Sequence, residues 1–187
     1  MSDKPRILKR EPIATTRIFR VEQLDLEFGN GERRCYERIL GGSRGAVLVV
    51  PLLDADTVLL IREYAAGSDR YELAFPKGRI EEDEEMLAAA GREIQEEIGY
   101  GARDLRLLRS VAVAPGYLQH RTHLILARDL YPSRLPGDEP EPIEVVPWKL
   151  DDLDALLARE DFSESRSILA LFLALRRLSG DPSSGSA

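Results

Sequence analysis

Only one cysteine, Cys35, stands among the 187 residues. A lone thiol cannot close an internal disulfide, so the core must hold the fold, and this sparing use of cysteine points to a reducing compartment, the cytoplasm. Long hydrophobic runs are also missing. Apolar stretches such as Ala46–Leu53 reach eight residues, against roughly 20 for a membrane-spanning helix. The opening residues, MSDKPRILKREP, are basic but have neither the apolar run nor the small-residue cleavage site of a secretory signal. No membrane partner is expected. Basic runs longer than two residues do not occur, and 33 acidic against 26 basic side chains leave a net charge of −7. That balance opposes the phosphate backbone of a long nucleic acid. A small anionic partner remains compatible, held by a few local arginines or by a cation that carboxylates retain. Repeats are absent, and low complexity is confined to the last segment, GDPSSGSA, expected to be a disordered tail over 180–187.

What is present is a composition able to build a core: 43% hydrophobic and 32% charged residues, in a length that suits one domain of about 100–200 residues. Alternating residues over 17–28 and 33–40 flank Gly29-Asn30-Gly31 and predict a β-hairpin whose Asn-Gly pair supplies positive φ angles. Ala46–Leu53 and Thr57–Tyr64, rich in Val, Leu and Ile, predict a second strand pair. A short segment, Tyr71–Phe75, precedes Pro76 and Gly78. Leu87, Ala90, Ile94 and Ile98 recur at helical spacing and predict a helix from about Asp83 to Gly99. Strands are expected at Leu105–Ala114, His123–Arg128 and Val145–Trp148, with a Pro- and acid-rich loop over 132–144. Helices at Leu150–Ala158 and Ser163–Leu178 close the chain, the second with Ile168, Leu171, Phe172, Leu175 and Leu178 on one stripe. Strands on both sides of a central helix give an α/β layered fold with a mixed sheet.

On a helical wheel centred on Glu93, Glu96 lies at about −60° and Glu97 at about +40°, while Leu87, Ile94 and Ile98 cluster near about 120°. One face is therefore buried, and three carboxylates share the arc beside it. Crowded like charges call for something positive nearby, and Arg92, four residues before Glu96, offers the only local relief. Carboxylate oxygens are hard ligands suited to Mg²⁺ or Mn²⁺. A solvated acidic face would account for the helix alone.

The wider spacing decides between these. From Gly78 the chain reads Gly78-x5-Glu84-x7-Arg92-Glu93-Ile94-Gln95-Glu96-Glu97-Ile98-Gly99-Tyr100, and so resembles the box of the Nudix hydrolases at every fixed position. Tyr100 is aromatic where an aliphatic residue is usual. Segments 21–38, 46–64 and 71–78, with Tyr117, 130–143 and Trp148, extend the resemblance to the ADP-sugar pyrophosphatase branch over nearly the whole chain. Pro115, sixteen residues after Gly99, occupies the place of a marker proline in ADP-ribose hydrolases. The acidic residue that often follows that proline is missing here.

The resemblance implies a Nudix-fold α/β/α sandwich with a mixed sheet over 43–179, preceded by a small N-terminal β region, 1–42, through which relatives form homodimers. It implies Mg²⁺-dependent hydrolysis of the pyrophosphate bond in ADP-linked compounds, a class of small nucleotide substrates. Glu93 and Glu97 are the implied metal ligands, with Glu96 a ligand or a holder of metal-bound water and Gly78 a carbonyl donor or a simple turn residue. Glu84, at the helix N-terminus, is structural, and Arg92 orients the glutamates. Glu139 and Glu141 align with paired loop glutamates of ADP-ribose hydrolases, and Glu139 is the favoured general base; otherwise both simply keep a loop soluble. Arg62 and Arg44 are candidate phosphate partners, and Tyr117 a stacking or lining residue. His120, His123, Cys35 and Trp148 are read as structural. Alternatives within the family are a GDP-sugar or RNA-cap nucleotide hydrolase, and a binding module that senses a nucleotide without cleaving it.

Overall fold

The computed structural model describes residues 3–42, 44–137 and 139–180, so the expected tail lies outside the described residues from 181 onward. Among these residues, eleven strands and three α-helices follow in order: β1 (Arg6–Thr15), β2 (Arg20–Glu27), β3 (Arg33–Leu40), β4 (Ala46–Pro51), β5 (Thr57–Ala65), β6 (Arg70–Ala74), β7 (Lys77–Arg79), α1 (Met86–Glu97), β8 (Tyr100–Val111), β9 (Leu118–Gln119), β10 (Thr122–Pro132), β11 (Glu144–Lys149), α2 (Leu153–Leu157) and α3 (Ser165–Leu178). They group into two compact units. One takes the chain up to Gly45 together with Ala112–Arg121, and the other takes Ala46–Val111 and the residues from Thr122 on.

The first unit is a sheet in the order β1-β2-β3-β9, antiparallel except for the parallel β3–β9 pair. Its β2–β3 turn runs from Phe28 to Glu32, whose backbone groups bond at 2.9 Å. The expected Asn-Gly geometry is half right. Gly31 has φ +84°, but Asn30 keeps a negative φ and instead accepts the Glu32 N–H on its side-chain oxygen at 3.1 Å. Strand β1 was not legible. Almost all of it is exposed, so it shows no alternation, and Pro12 sits by a register irregularity at this edge of the sheet.

The second unit is a three-layer α/β/α arrangement. Its strands form two hydrogen-bonded sets, β7-β4-β10-β8, which is mixed, and β11-β5-β6. Alternate residues of β4 face opposite ways. Val47 and Val49, with Leu59, Ile61, Ile125 and Ala127, pack against Ala89, Ala90, Ile94 and Ile98 of α1 and its end. Leu48 and Val50, with Leu60, Leu124 and Leu126, pack against Leu156, Phe162, Leu171 and Ala174. A strand covered on both faces reads as a continuous apolar run, as β4 does.

That continuity explains a correction. The segments Ala46–Leu53 and Thr57–Tyr64 do not form a strand pair: β4 bonds to β10 and β7, β5 bonds to β6 and β11, and a single bridge, Leu52 to Val58, joins the two segments. With both faces apolar, nothing in either segment encodes its neighbour. The helix stripes shift as well. Leu87, in the first turn of α1, is exposed, and so is Phe172. The buried line of α3 runs through Ser167, Ala170, Leu171 and Ala174, where Leu171 fills the core and the three small residues let the helix approach the sheet. Among the described residues, no helix is long and apolar enough to cross a membrane.

Candidate active site

The box forms one local structure in the second unit. Strand β7 pairs with β4, placing Gly78 opposite Val47, and the chain then turns through Ile80–Glu85 into α1. Gly78 is thus a strand residue, not the turn glycine that one reading expected, and its use is space. A Cβ there would overlap the carboxylate of Glu93. Helix α1 begins at Met86 with Glu85 as its N-cap, so Glu84 stands just ahead of the first turn. Glu84 accepts from Arg92 Nε at 2.8 Å and from the Glu81 N–H at 3.0 Å. The Arg92 hydrogen bonds hold its carboxyl below the usual range despite partial burial.

Arg92 is the hub. Besides Glu84 it bonds Glu93 Oε1 and Glu96 Oε2, both at 2.8 Å, and donates to the Arg79 carbonyl at 3.0 Å. Glu84 foremost, and Glu93 as well, raise the pKa of Arg92 against partial burial. The carboxylates do not sit beside the buried face, as the wheel suggested. Glu93 and Glu97 are part of it, with 7% and 3% exposure. Burial raises the pKa of Glu93 against the pull of Arg92, and the negative charge of Glu139 adds to the rise. Glu97 goes further, to about 9, through burial, opposed by Lys77 and reinforced by Glu93. Its Oε2 accepts the Lys77 N–H at 3.0 Å.

Gly99, at φ +76°, ends the helix in the left-handed conformation that a side chain resists. The loop after β10 docks on this end. Ser133 N–H donates to the Gly99 carbonyl at 3.0 Å, Leu135 N–H to the Gln95 carbonyl at 3.1 Å, and Ser133 Oγ to Gln95 Oε1 at 2.8 Å. The same loop then closes a cavity of about 290 Å³ lined by Glu96, Glu97, Arg134, Glu139, Glu141 and Ile143, among others. Glu139 and Glu141 differ in what holds them. Glu141 accepts a 2.6 Å bond from the Tyr71 hydroxyl, and Tyr71 in turn packs edge-on against Tyr64 with ring centroids 5.7 Å apart.

Arg62 lines a smaller cavity of about 100 Å³ beside this loop, with its guanidinium bonded to Asp161 at 2.6 Å and Glu144 at 3.1 Å. Arg44 and Tyr117 belong to the first unit. There Tyr117, 60% exposed, lines a hollow of about 280 Å³ with Leu24, Tyr36 and Pro115. His123 bonds Ser110 through Nδ1 at 2.7 Å, a structural use. Sequence reasoning missed Lys77, Tyr71 and Tyr36, since each meets its site through the fold and not through local spacing.

An all-oxygen donor set with two desolvated carboxylates fits a hard divalent cation, and burying such charges without one is costly. Among the described residues no three Asp, Glu, His or Cys side chains converge at ligand spacing, and Arg92 holds Glu84, Glu93 and Glu96 in ion pairs.

Comparison with known proteins agrees with this geometry. Residues 5–38 match the NudE-type Nudix hydrolase N-terminal domain, and residues 42–172 match the NUDIX domain. The chain is 48% identical to the ADP compounds hydrolase NudE of Escherichia coli (strain K12), covering 95% of each chain. It is 31% identical to the ADP-sugar pyrophosphatase of Mus musculus, covering 81% of this chain and 78% of that one. A crystal structure of an ADP compounds hydrolase superposes with a TM-score of 0.91 at 47% identity, over 96% of this chain and 97% of the other. With its acidic box intact and two domain models matched in order, the chain belongs to the Nudix hydrolase family, whose members generally need a divalent metal.

Proposed function

We propose that this chain hydrolyses the pyrophosphate bond of ADP-linked compounds, ADP-ribose, NADH and diadenosine polyphosphates among them, and releases AMP. The observation that carries the reading is the buried pair Glu93 and Glu97 on one helix, with Arg92 bonding Glu93 and Glu96 and with Glu96 and Glu97 lining an acidic cavity. Relatives named as an ADP compounds hydrolase and an ADP-sugar pyrophosphatase support the substrate class.

Glu93 and Glu97 would hold Mg²⁺, or Mn²⁺ in its place, with Glu96 adjoining and Gly78 offering its carbonyl. A cation bound there would supply Lewis-acid chemistry, activation of water and neutralisation of phosphoryl charge. Glu139 takes the proton of the attacking water. It is the better candidate of the loop pair because its charge already reaches Glu93, while Glu141 is engaged by Tyr71. Arg92 orients Glu93 and Glu96 and is itself turned away from substrate by these bonds. The chain works in the cytoplasm as a homodimer formed through residues 1–42, whose exposed apolar side chains Leu8, Ile13, Ile18 and Phe19 supply a contact surface.

The test is a substrate panel of ADP-ribose, NADH, diadenosine triphosphate and GDP-mannose with Mg²⁺ and product analysis. AMP from the first three, with GDP-mannose turned over much more slowly, is expected. A preference for GDP-mannose, or binding without turnover of any, overturns the reading.

A further inference from the structure

We propose that Arg134 is a substrate-binding residue, which grips a phosphoryl group of the diphosphate from the loop side of the acidic cavity. The proposal rests on the pyrophosphatase reading and adds a residue to it.

Four glutamates, Glu96, Glu97, Glu139 and Glu141, line that cavity, and Arg134 is the one cationic side chain among the described residues lining it. An anionic diphosphate entering such a cavity meets strong repulsion unless cations stand on more than one side. The other arginines nearby are already engaged. Arg92 bonds three carboxylates, and Arg62 bonds two. Among the described residues no carboxylate pairs with Arg134, although it shares the cavity with four.

Its backbone is nevertheless fixed. Both neighbours are tied to the end of α1, Ser133 through Gly99 and Gln95 and Leu135 through Gln95. The guanidinium lies directly over Gly99, where a Cβ would come within 2.8 Å of Nη2 and 2.9 Å of Nε. The missing side chain at Gly99 therefore gives the guanidinium room, in addition to allowing the positive φ. A role confined to shielding the negative end of α1 would need only a positive charge. A planar fork held over a bare backbone and facing a cavity suits two parallel hydrogen bonds to phosphoryl oxygens.

The test compares wild type, Arg134→Ala and Arg134→Lys in three measurements: ADP-ribose kinetics with Mg²⁺, calorimetric binding of the Mg²⁺–pyrophosphate complex, and thermal melting. Arg134→Ala should raise KM and weaken pyrophosphate binding by about tenfold or more with little change in kcat, as expected for loss of uniform binding. Its Tm should stay within about 2 °C of wild type. Lysine should restore only part of the affinity, because it is a point charge without the fork. Pyrophosphate affinity within twofold of wild type in Arg134→Ala overturns the proposal, as does full recovery in Arg134→Lys. A wild-type chain that binds pyrophosphate through Arg134 but hydrolyses none of the panel rejects the enzymatic reading alone.

Discussion

Adding one methyl group at Gly78 tests how closely strand β7 and helix α1 fit. Gly78 has no positive φ, so alanine is conformationally acceptable there, but its Cβ would occupy the position of the Glu93 carboxylate. Glu93 is 7% exposed and tied to Arg92 at 2.8 Å, so it cannot swing aside freely. Overpacking of this kind costs about 1–3 kcal/mol, and at about 2–4 °C per kcal/mol for a chain of this length, Tm should fall by about 2–12 °C. The effect on activity should be larger, since displacing a reacting group by about 1 Å can cost roughly 10²-fold in rate. Melting curves of wild type, Gly78→Ala, Glu93→Ala and the double variant form a thermodynamic cycle. If the clash is with Glu93, Gly78→Ala destabilises the wild type but hardly affects Glu93→Ala, and the coupling is about 1–3 kcal/mol. Equal Tm losses in both backgrounds, or wild-type kcat in Gly78→Ala, would refute the reasoning.

The metal ligands and the base should fail differently. Glu97→Gln lowers kcat by orders of magnitude, and raised Mg²⁺ recovers part of it, whereas chelation abolishes wild-type turnover; full activity after exhaustive chelation sinks the metal assignment. Glu139→Gln loses about 10²–10⁴-fold in kcat, unrelieved by metal and relieved by high pH, while Tyr71→Phe should match Glu141→Gln in a smaller loss; reversed sizes in a kcat comparison move the base to Glu141. Asp161 is held at about 2 by Arg159 first and Arg62 as well, against partial burial. A depressed carboxyl stabilises the fold above its unfolded value of 3.8 and stops doing so as pH falls towards about 2. The stability gap between wild type and Asp161→Asn should therefore be constant, at about 1–2 kcal/mol after allowance for screening, above pH 4 and close below it; a gap that grows on acidification contradicts this. Sedimentation should show a dimer, and Ile13→Asp with Phe19→Asp should give a monomer; a monomeric wild type rejects the role given to residues 1–42.

Legibility followed the range of the interactions. The box lies in one unbroken stretch, so the helix, its carboxylates and Arg92 could be read from spacing alone. Burial could not: whether Glu93 and Glu97 lie beside the core or within it depends on where the sheet crosses α1, which no local pattern carries. The choice of strand partners for β4 and β5 failed for the same reason, because apolar segments covered on both faces are interchangeable to a sequence reader. Tyr71 and Glu141 stand 70 positions apart, joined by one hydrogen bond. Strand β1, exposed along most of its length, gives no periodicity to find.

The ion pairs of Arg92 bear on the order of events as the chain matures. A small zinc domain has no folded state until its metal arrives, because its ligands have nothing else to hold them together. Here a guanidinium supplied by the chain itself serves as counter-ion to Glu84, Glu93 and Glu96. The chain can therefore complete its core before a cation arrives, and depleting divalent ions is expected to slow turnover without unfolding the protein.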